Sequence, residues 1–206
     1  MALTTYSDLK TSIANYLARS DLTSQIPDFI NFAEIRLRRE LRIRQMLKVA
    51  TTTTTGGDST VGLPSDFLEL RDIFFVNDPA ITLTYLTPST FTRNARTTES
   101  GQPVNYTILT DEFQFAPIPD TTYTIQMLYY AAPTFLSDSV ATNVFLSNAP
   151  DALLYAALGE AEPYLMNDAR IQTWAALYNR AVSTLNESDN RSEFSASPLK
   201  MTLSVR

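Results

Sequence analysis

Carboxylates would have to do most of the chemistry in this chain, because it contains no histidine and no cysteine. These absences exclude a Ser-His-Asp triad, a Cys-His dyad and any metal site ligated by His or Cys. Two of the close pairs of acidic residues illustrate why shared acid/base catalysis is not expected. Asp111 and Glu112 are adjacent, so on a strand they would point to opposite faces. Glu160 and Glu162 would lie about 200° apart around a helix.

Two further patterns that could bind a phosphate or a cation are incomplete. The Gly-Gly-Asp sequence at residues 56–58 lacks the Lys and Ser/Thr of a phosphate-binding loop. Asp66, Glu69 and Asp72 could ligate a hard cation only if the fold brought them together, and we interpret them as solvated strand or turn residues. We therefore predict no catalytic residue, no cofactor and no metal site. A glycosidase pair assembled from distant carboxylates stays open at this point.

The most basic segment, residues 26–48, also has the longest helical pattern, and we predict one helix over its length. At about 100° per residue, one apolar stripe is formed by Ile26, Phe29, Ile30, Ala33, Leu37 and Leu41. A second apolar set lies roughly opposite and consists of Phe32, Ile35, Ile43 and Met46. A helix that is apolar on two sides needs two packing partners.

Five arginines of this segment are candidate contacts with another subunit or a partner: Arg36, Arg38, Arg39, Arg42 and Arg44. One interpretation is that they dock onto an acidic partner surface or near phosphate. The other is that their stems cover apolar surface while pairs such as Glu34 with Arg38 form within the helix. The residues alone leave both interpretations open.

The elements around this segment predict an α+β protein. A first helix runs from a cap at Thr5 to about Arg19, and C-terminal helices follow caps at Asn148 and Asp168. Between them we predict strands: a hairpin that turns at residues 56–57, a strand at residues 67–76, and a meander over residues 104–131.

This order indicates an α-helical bundle built from the N- and C-terminal helices, an inserted antiparallel β-rich domain and an extended C-terminal tail. The predicted boundaries are residues 1–48 for the N-terminal helices, 49–147 for the β-rich insertion, 148–187 for the C-terminal helices and 188–206 for the tail. Alternating apolar residues near residue 200 suit strand addition to a sheet edge of another subunit, although a frayed tail is the other interpretation. The candidate binding residues of the tail are Phe194, Leu199, Met201, Leu203 and Val205.

Charge and hydropathy limit the class of partner that this chain is expected to have. The net charge is −6, with 8 basic and 5 acidic side chains in residues 1–48, 3 and 10 in residues 49–150, and 5 and 7 in residues 151–206. The acidic middle disfavours free nucleic-acid binding. No signal peptide and no run of about 18 apolar residues is present, so we expect a soluble protein without a membrane partner.

Six motifs together resemble the adaptor, or gateway, proteins of tailed bacteriophages. They are YSDL at residues 6–9, IPDFINFAEIRLRRELRIRQM at 26–46, LPSDFLELRDI at 63–73, GQPVNYTI at 101–108, YYAAP at 129–133 and NAPDALLYAALGEAEPYL at 148–165. The resemblance implies a non-enzymatic virion protein that forms a ring, usually of twelve copies, beneath the portal. It also implies contacts with the portal protein and with tail nozzle or tail-tube proteins, assembly in the host cytoplasm, and a place in the neck between capsid and tail. DNA would pass through the channel without sequence-specific binding.

Two other functions are alternatives to the adaptor. A carbohydrate-binding or carbohydrate-hydrolysing phage tail component is the first, because β-rich regions of tail proteins have such roles. A nucleic-acid-binding terminase or replication factor is the second, and the charge distribution disfavours it.

Overall fold

The computed structural model describes residues 3–19, 21–76, 80–95, 97–165 and 169–194, and contacts divide this chain into two compact units. The helical unit comprises the described parts of Met1–Gln45 and Pro133–Arg206. The β unit comprises those of Met46–Ala132. The mixed α+β class is therefore confirmed. The contacts place residues 133–147 in the helical unit.

Helices surround one central helix in the helical unit. Its helices are α1 (Tyr6–Leu17), α2 (Ile26–Glu40), α4 (Val144–Asn148), α5 (Pro150–Glu160), α6 (Glu162–Leu165) and α7 (Arg170–Phe194), while α3 (Pro88–Asn94) belongs to the β unit. α5 packs against α1, α2, α4 and α7. Its buried residues cover about two thirds of the helix circumference: Ala152, Leu153, Leu154, Ala156, Ala157 and Leu158. A helix with so wide an apolar surface needs several packing partners.

The start of α1 matches the predicted cap. The Thr5 hydroxyl accepts the backbone N–H of Asp8 at 3.2 Å, and the Asp8 carboxylate accepts the N–H of Thr5 at 3.0 Å. This reciprocal pair satisfies two N–H groups that the first turn leaves without helical partners. α1 ends at Leu17, where Ala18 takes a left-handed conformation with φ 53°.

α2 ends at Glu40, so the prediction of a helix as far as Lys48 is wrong. Leu41 is extended, with φ −100° and ψ 137°, and both Leu41 and Ile43 are fully buried. Nη1 of Arg42 donates to the carbonyl oxygens of Arg38 and Leu41 at 2.8 and 2.7 Å, which satisfies acceptors at the end of the helix. A 3₁₀ turn (Arg44–Met46) then leads into the first strand. The second apolar side of α2 is therefore reduced to Phe32 and Ile35.

The β unit contains two four-stranded sheets. Its strands are β1 (Leu47–Thr53), β2 (Thr60–Gly62), β3 (Phe67–Phe75), β4 (Ile81–Thr82), β5 (Thr84–Tyr85), β6 (Asn105–Leu109), β7 (Glu112–Ala116) and β8 (Thr124–Ala131). The first sheet has the order β1-β8-β3-β4 and the second has the order β2-β7-β6-β5. All pairs are antiparallel except β5 with β6. Both sheets contribute to one core, in which Phe75, Phe113 and Ile125 are fully buried.

Two predicted strand pairings are wrong. β1 pairs with β8 rather than with β2, and β8 joins β1 and β3 rather than β7. The chain does turn at Gly57, with φ +85°, but it passes from one sheet to the other there. Alternating residues show that a strand has a buried face, whereas strand neighbours depend on contacts distant in sequence.

The segment that follows residue 187 continues α7, so an extended chain from residue 188 is wrong for residues 188–194. The Asp189 carboxylate accepts the backbone N–H of Arg44 at 2.9 Å, which ties this part of α7 to the chain after α2. Phe194 is the last residue of α7. Leu199, Met201, Leu203 and Val205 lie outside the described residues.

Candidate functional site

A groove beside α2, called the α2 groove below, combines exposed apolar surface with positive charge. Its volume is about 390 Å³ and its lining residues are Phe32, Ile35, Arg36, Arg39, Glu40 and Glu160. Phe32 is 53% exposed, although it lies on a helix whose opposite stripe forms the core. Arg39 is exposed beside it. An aromatic ring next to an arginine is the composition that protein interfaces favour.

Arg36 connects three helices at the back of the α2 groove. Its Nε lies 3.1 Å from a carboxylate oxygen of Glu40 on α2, and its Nη1 lies 3.8 Å from the carboxylate of Glu160 on α5. Its guanidinium also covers the ring of Tyr178 on α7, at 4.1 Å from the ring centre. The structure thus gives Arg36 partners within its own subunit.

Tyr178 completes this network. Its ring is buried, and its hydroxyl donates a short hydrogen bond to the Glu40 carboxylate. Burial and the neighbouring carboxylate both raise the pKa of Tyr178, so it stays a neutral donor. These contacts connect Arg36 and Glu40, which line the α2 groove, to Tyr178 of α7.

The other predicted arginines have different surroundings. Arg38 is half-buried, with its guanidinium 5.2 Å from the ring centre of Phe135. Arg42 binds the carbonyl groups at the end of α2. Arg39 and Arg44 have exposed side chains. Of the five predicted residues, the α2 groove therefore contains Arg36 and Arg39.

Glu34 is a buried carboxyl group that sequence reasoning missed. It is fully buried, and its oxygens accept the Leu136 N–H at 3.1 and 3.2 Å and the Asn143 side-chain amide at 2.5 Å. Burial raises the pKa of Glu34 to about 7, and the hydrogen bonds from Leu136 and Asn143 offset part of that effect. Glu34 is four residues after Ile30 and three before Leu37, so its place on the buried stripe was a usable signal.

Glu34 stabilises the chain segment that leads from the β unit to α5. The Asn143 amide also donates to the Thr134 carbonyl at 3.0 Å, and its oxygen accepts the Leu146 N–H at 3.0 Å as the cap of α4. One carboxyl and one amide thus fix the path of residues 134–146 against α2.

Asp66, considered above as a cation ligand, binds protein groups instead. It accepts hydrogen bonds from the Lys48 ammonium at 2.6 Å and from the Tyr129 hydroxyl at 2.8 Å. The bond from Lys48, with a further contribution from Tyr129, holds the pKa of Asp66 below its usual range. Within the described ranges, no group of three or more acidic side chains is arranged to hold a metal ion. Over the same ranges, no helix has the length and apolar character needed to cross a membrane.

The sequence was compared with known families and with curated proteins. The family model described as SU10 adaptor protein matches residues 4–202, which is nearly the whole chain. No curated protein matches.

Proposed function

This chain belongs to the SU10 adaptor protein family, and on that premise we propose that it is the head-to-tail adaptor of a tailed phage. A structural role as a phage adaptor follows from the family. The proposal adds that copies of the chain, usually twelve, form a ring beneath the portal and provide the site at which tail proteins assemble. It also adds that genomic DNA passes through the ring without sequence-specific binding.

The observation that carries this proposal is the length of the family match. A match from residue 4 to residue 202 includes both units, so the function assigned to the family applies to the whole architecture rather than to one motif. The proposal places the protein in the virion neck, after assembly in the host cytoplasm.

The helical unit is the part that we assign to ring building. α5 packs against helices from both halves of the chain, α1 and α2 before it and α7 after it, which supports a bundle closed by the two halves. The bundle exposes the α2 groove, with Phe32 half-exposed and Arg39 beside it. We assign this groove to the contact with a neighbouring copy, because buried aromatic and arginine anchors contribute most of the energy of an interface.

Solution mass tests the proposal directly. The protein is measured by light scattering alone and after mixing with the portal protein of the same phage. The expected result is a ring whose mass corresponds to many copies bound to one portal. A protein that ignores the portal at all concentrations overturns the proposal.

A glycan array on the same preparation gives the complementary measurement. An adaptor is expected to bind no glycan on the array. Saturable glycan binding without portal binding would identify the chain as a carbohydrate-binding tail component.

A further inference from the structure

The first strand of the β unit lies at an open edge of its sheet. In the order β1-β8-β3-β4, β1 is terminal, and among the described strands it pairs with β8 alone. β1 is seven residues long, whereas β4 at the other end has two residues. The terminal strands of the second sheet, β2 and β5, have three and two. β1 therefore offers by far the longest free edge in the β unit that the structure describes.

The hydrogen bonds at the end of β1 show which of its backbone groups face outward. The N–H of Thr54 donates to the carbonyl of Tyr123 at 2.9 Å, and the N–H of Tyr123 donates to the Thr54 hydroxyl at 2.9 Å. Since paired residues alternate along an antiparallel ladder, residues 48, 50 and 52 bind β8. Val49, Thr51 and Thr53 then direct their N–H and C=O groups away from the sheet.

The usual protections of an edge are weak on this strand. Natural edges are protected by proline, by bulges or by charged side chains. β1 has no proline, and its register with β8 is continuous over all seven residues. Its one charged residue, Lys48, is paired with Asp66 at 2.6 Å. The edge thus has the properties of a surface that accepts another strand.

The side chains of β1 add an apolar row to the open edge. Val49 is 59% exposed and lies opposite Leu128 of β8, while Leu47 lies opposite Tyr130. Ala50, one residue further, packs instead against the core. A strand added at this edge would extend the exposed row if every second residue were apolar.

We propose that the β1 edge accepts residues 199–205 of a second copy as an added strand. This segment, LKMTLSV, has apolar residues at every second position: Leu199, Met201, Leu203 and Val205. Its seven residues match the seven of β1. Its apolar side chains would continue the row of Val49 and Leu128, and its main chain would bind the outward groups of Val49, Thr51 and Thr53.

The choice of a second copy rests on the proposed function. A segment of one copy that binds a different surface on the next makes a head-to-tail contact, and such contacts close into rings when the rotation between copies permits it. The same segment on every copy would then connect the whole ring.

Cysteine cross-linking tests this contact cleanly, because the natural chain has no cysteine. One chain carries Thr51→Cys and another carries Leu203→Cys or Met201→Cys, which covers both strand directions. The two chains are mixed, assembled with portal protein and mildly oxidised. The expected product is a disulfide-linked pair of chains in one of the two mixtures. Thr82→Cys on β4, the short edge of the same sheet, replaces Thr51→Cys as the matched control and is expected to give no such product.

A backbone substitution separates strand addition from mere proximity. Val49→Pro removes an outward N–H without removing a bond to β8, whereas Val49→Thr keeps that N–H and a branched side chain. Val49→Pro is expected to reduce cross-linking at Thr51→Cys by about two- to tenfold, the effect of one lost hydrogen bond. Val49→Thr is expected to leave it near the original yield.

Three results would overturn the inference. The first is that neither mixture gives a cross-link. The second is that Thr82→Cys cross-links as much as Thr51→Cys does. The third is that a chain carrying both cysteines forms a disulfide within itself, while the mixtures of singly substituted chains form none. Light scattering with portal is measured on the same samples. Normal rings without a cross-link contradict the strand exchange and leave the adaptor function intact, whereas absent rings contradict the adaptor function itself.

Discussion

The helical unit and the β unit present two different kinds of surface to a partner. The α2 groove consists of side chains, chiefly those of Phe32, Arg36 and Arg39. The β1 edge consists mainly of backbone N–H and C=O groups. A side-chain substitution can therefore remove the α2 groove as a binding surface. The β1 edge is altered only by a substitution that changes the backbone groups, such as proline. A single alanine scan would therefore find one surface and miss the other.

The two units are also expected to differ in how they respond to core substitutions, and this is the largest effect that we predict. Leu153 on α5 and Phe113 on β7 are both fully buried. Leu153→Ala is expected to cost about 2–5 kcal/mol in the helical unit, and Phe113→Ala about 3–5 kcal/mol in the β unit. The single tryptophan, Trp174, is buried on α7, so its fluorescence reports the helical unit.

Urea denaturation measures the difference between these two variants. Leu153→Ala is expected to shift the fluorescence midpoint strongly, while Phe113→Ala mainly shifts the circular dichroism of the strands. If both variants move the fluorescence midpoint equally, the two units unfold as one and the comparison fails.

The second prediction concerns pH, because one carboxyl group in each unit has a shifted pKa and the two shifts have opposite directions. Burial raises the pKa of Glu34 in the helical unit from 4.5 to about 7. Glu34 therefore holds its proton more tightly in the folded state, and its contribution is greatest below pH 4.5 and is lost as pH rises to about 7. The loss is expected to be up to about 3 kcal/mol. Fluorescence-detected unfolding at pH 5 and at pH 7.5 measures it.

Glu34→Gln is the matched variant, since an amide oxygen still accepts hydrogen bonds and does not titrate. Its unfolding free energy is expected to be nearly equal at the two pH values. A wild-type protein whose helical unit is equally stable at pH 5 and pH 7.5 would contradict the prediction.

Asp66 in the β unit should show the reverse dependence. The hydrogen bond from Lys48 lowers the pKa of Asp66, so its stabilising contribution is present above pH 3.8 and is lost as pH falls through its lower folded value. Acid is thus expected to weaken the β unit through Asp66 while Glu34 remains protonated. Circular dichroism of the strands below pH 4, compared with Asp66→Asn, measures this contribution.

The smallest effect on folding is expected at the α2 groove. Arg39 is exposed, so Arg39→Glu should change the unfolding free energy by no more than about 0.5 kcal/mol. Assembly with portal should nevertheless weaken, because the reversed charge sits beside Phe32 in the proposed contact. Arg180→Glu, at an exposed position of α7 outside the groove, is the matched control. Equal assembly of both variants would show that the α2 groove is not a subunit contact.

The sequence predicted best those features that depend on a few neighbouring residues. The cap predicted at Thr5 was correct, because such a signal acts within one helical turn. The individual strands at Phe67–Phe75 and Glu112–Ala116 were likewise found from their composition. The cap predicted at Asn148 was wrong, because Asn148 is the last residue of α4 and Ala149 takes the cap position of α5.

Features that depend on distant contacts were predicted poorly. The partners of β1 and β8 could not be read from alternation, which reports a buried face and not a neighbour. The end of α2 was missed because the apolar pattern continues through Leu41 and Ile43, which are buried in extended chain rather than in a helix. Glu34 was assigned to a surface pair because charge alone was considered, without its place in the apolar stripe.

The strands that open and close the β unit are direct neighbours. Leu47, next to the first residue of the unit, lies opposite Tyr130, two residues before its last. Opposed residues in an antiparallel pair have Cα atoms about 4.5–5.5 Å apart. The chain therefore enters and leaves the β unit at adjacent points. The β unit could be replaced by a shorter or longer domain, or by a short linker, without moving the chain ends to which it is joined. A change in the length or sequence of the β unit can therefore leave the helical unit unchanged.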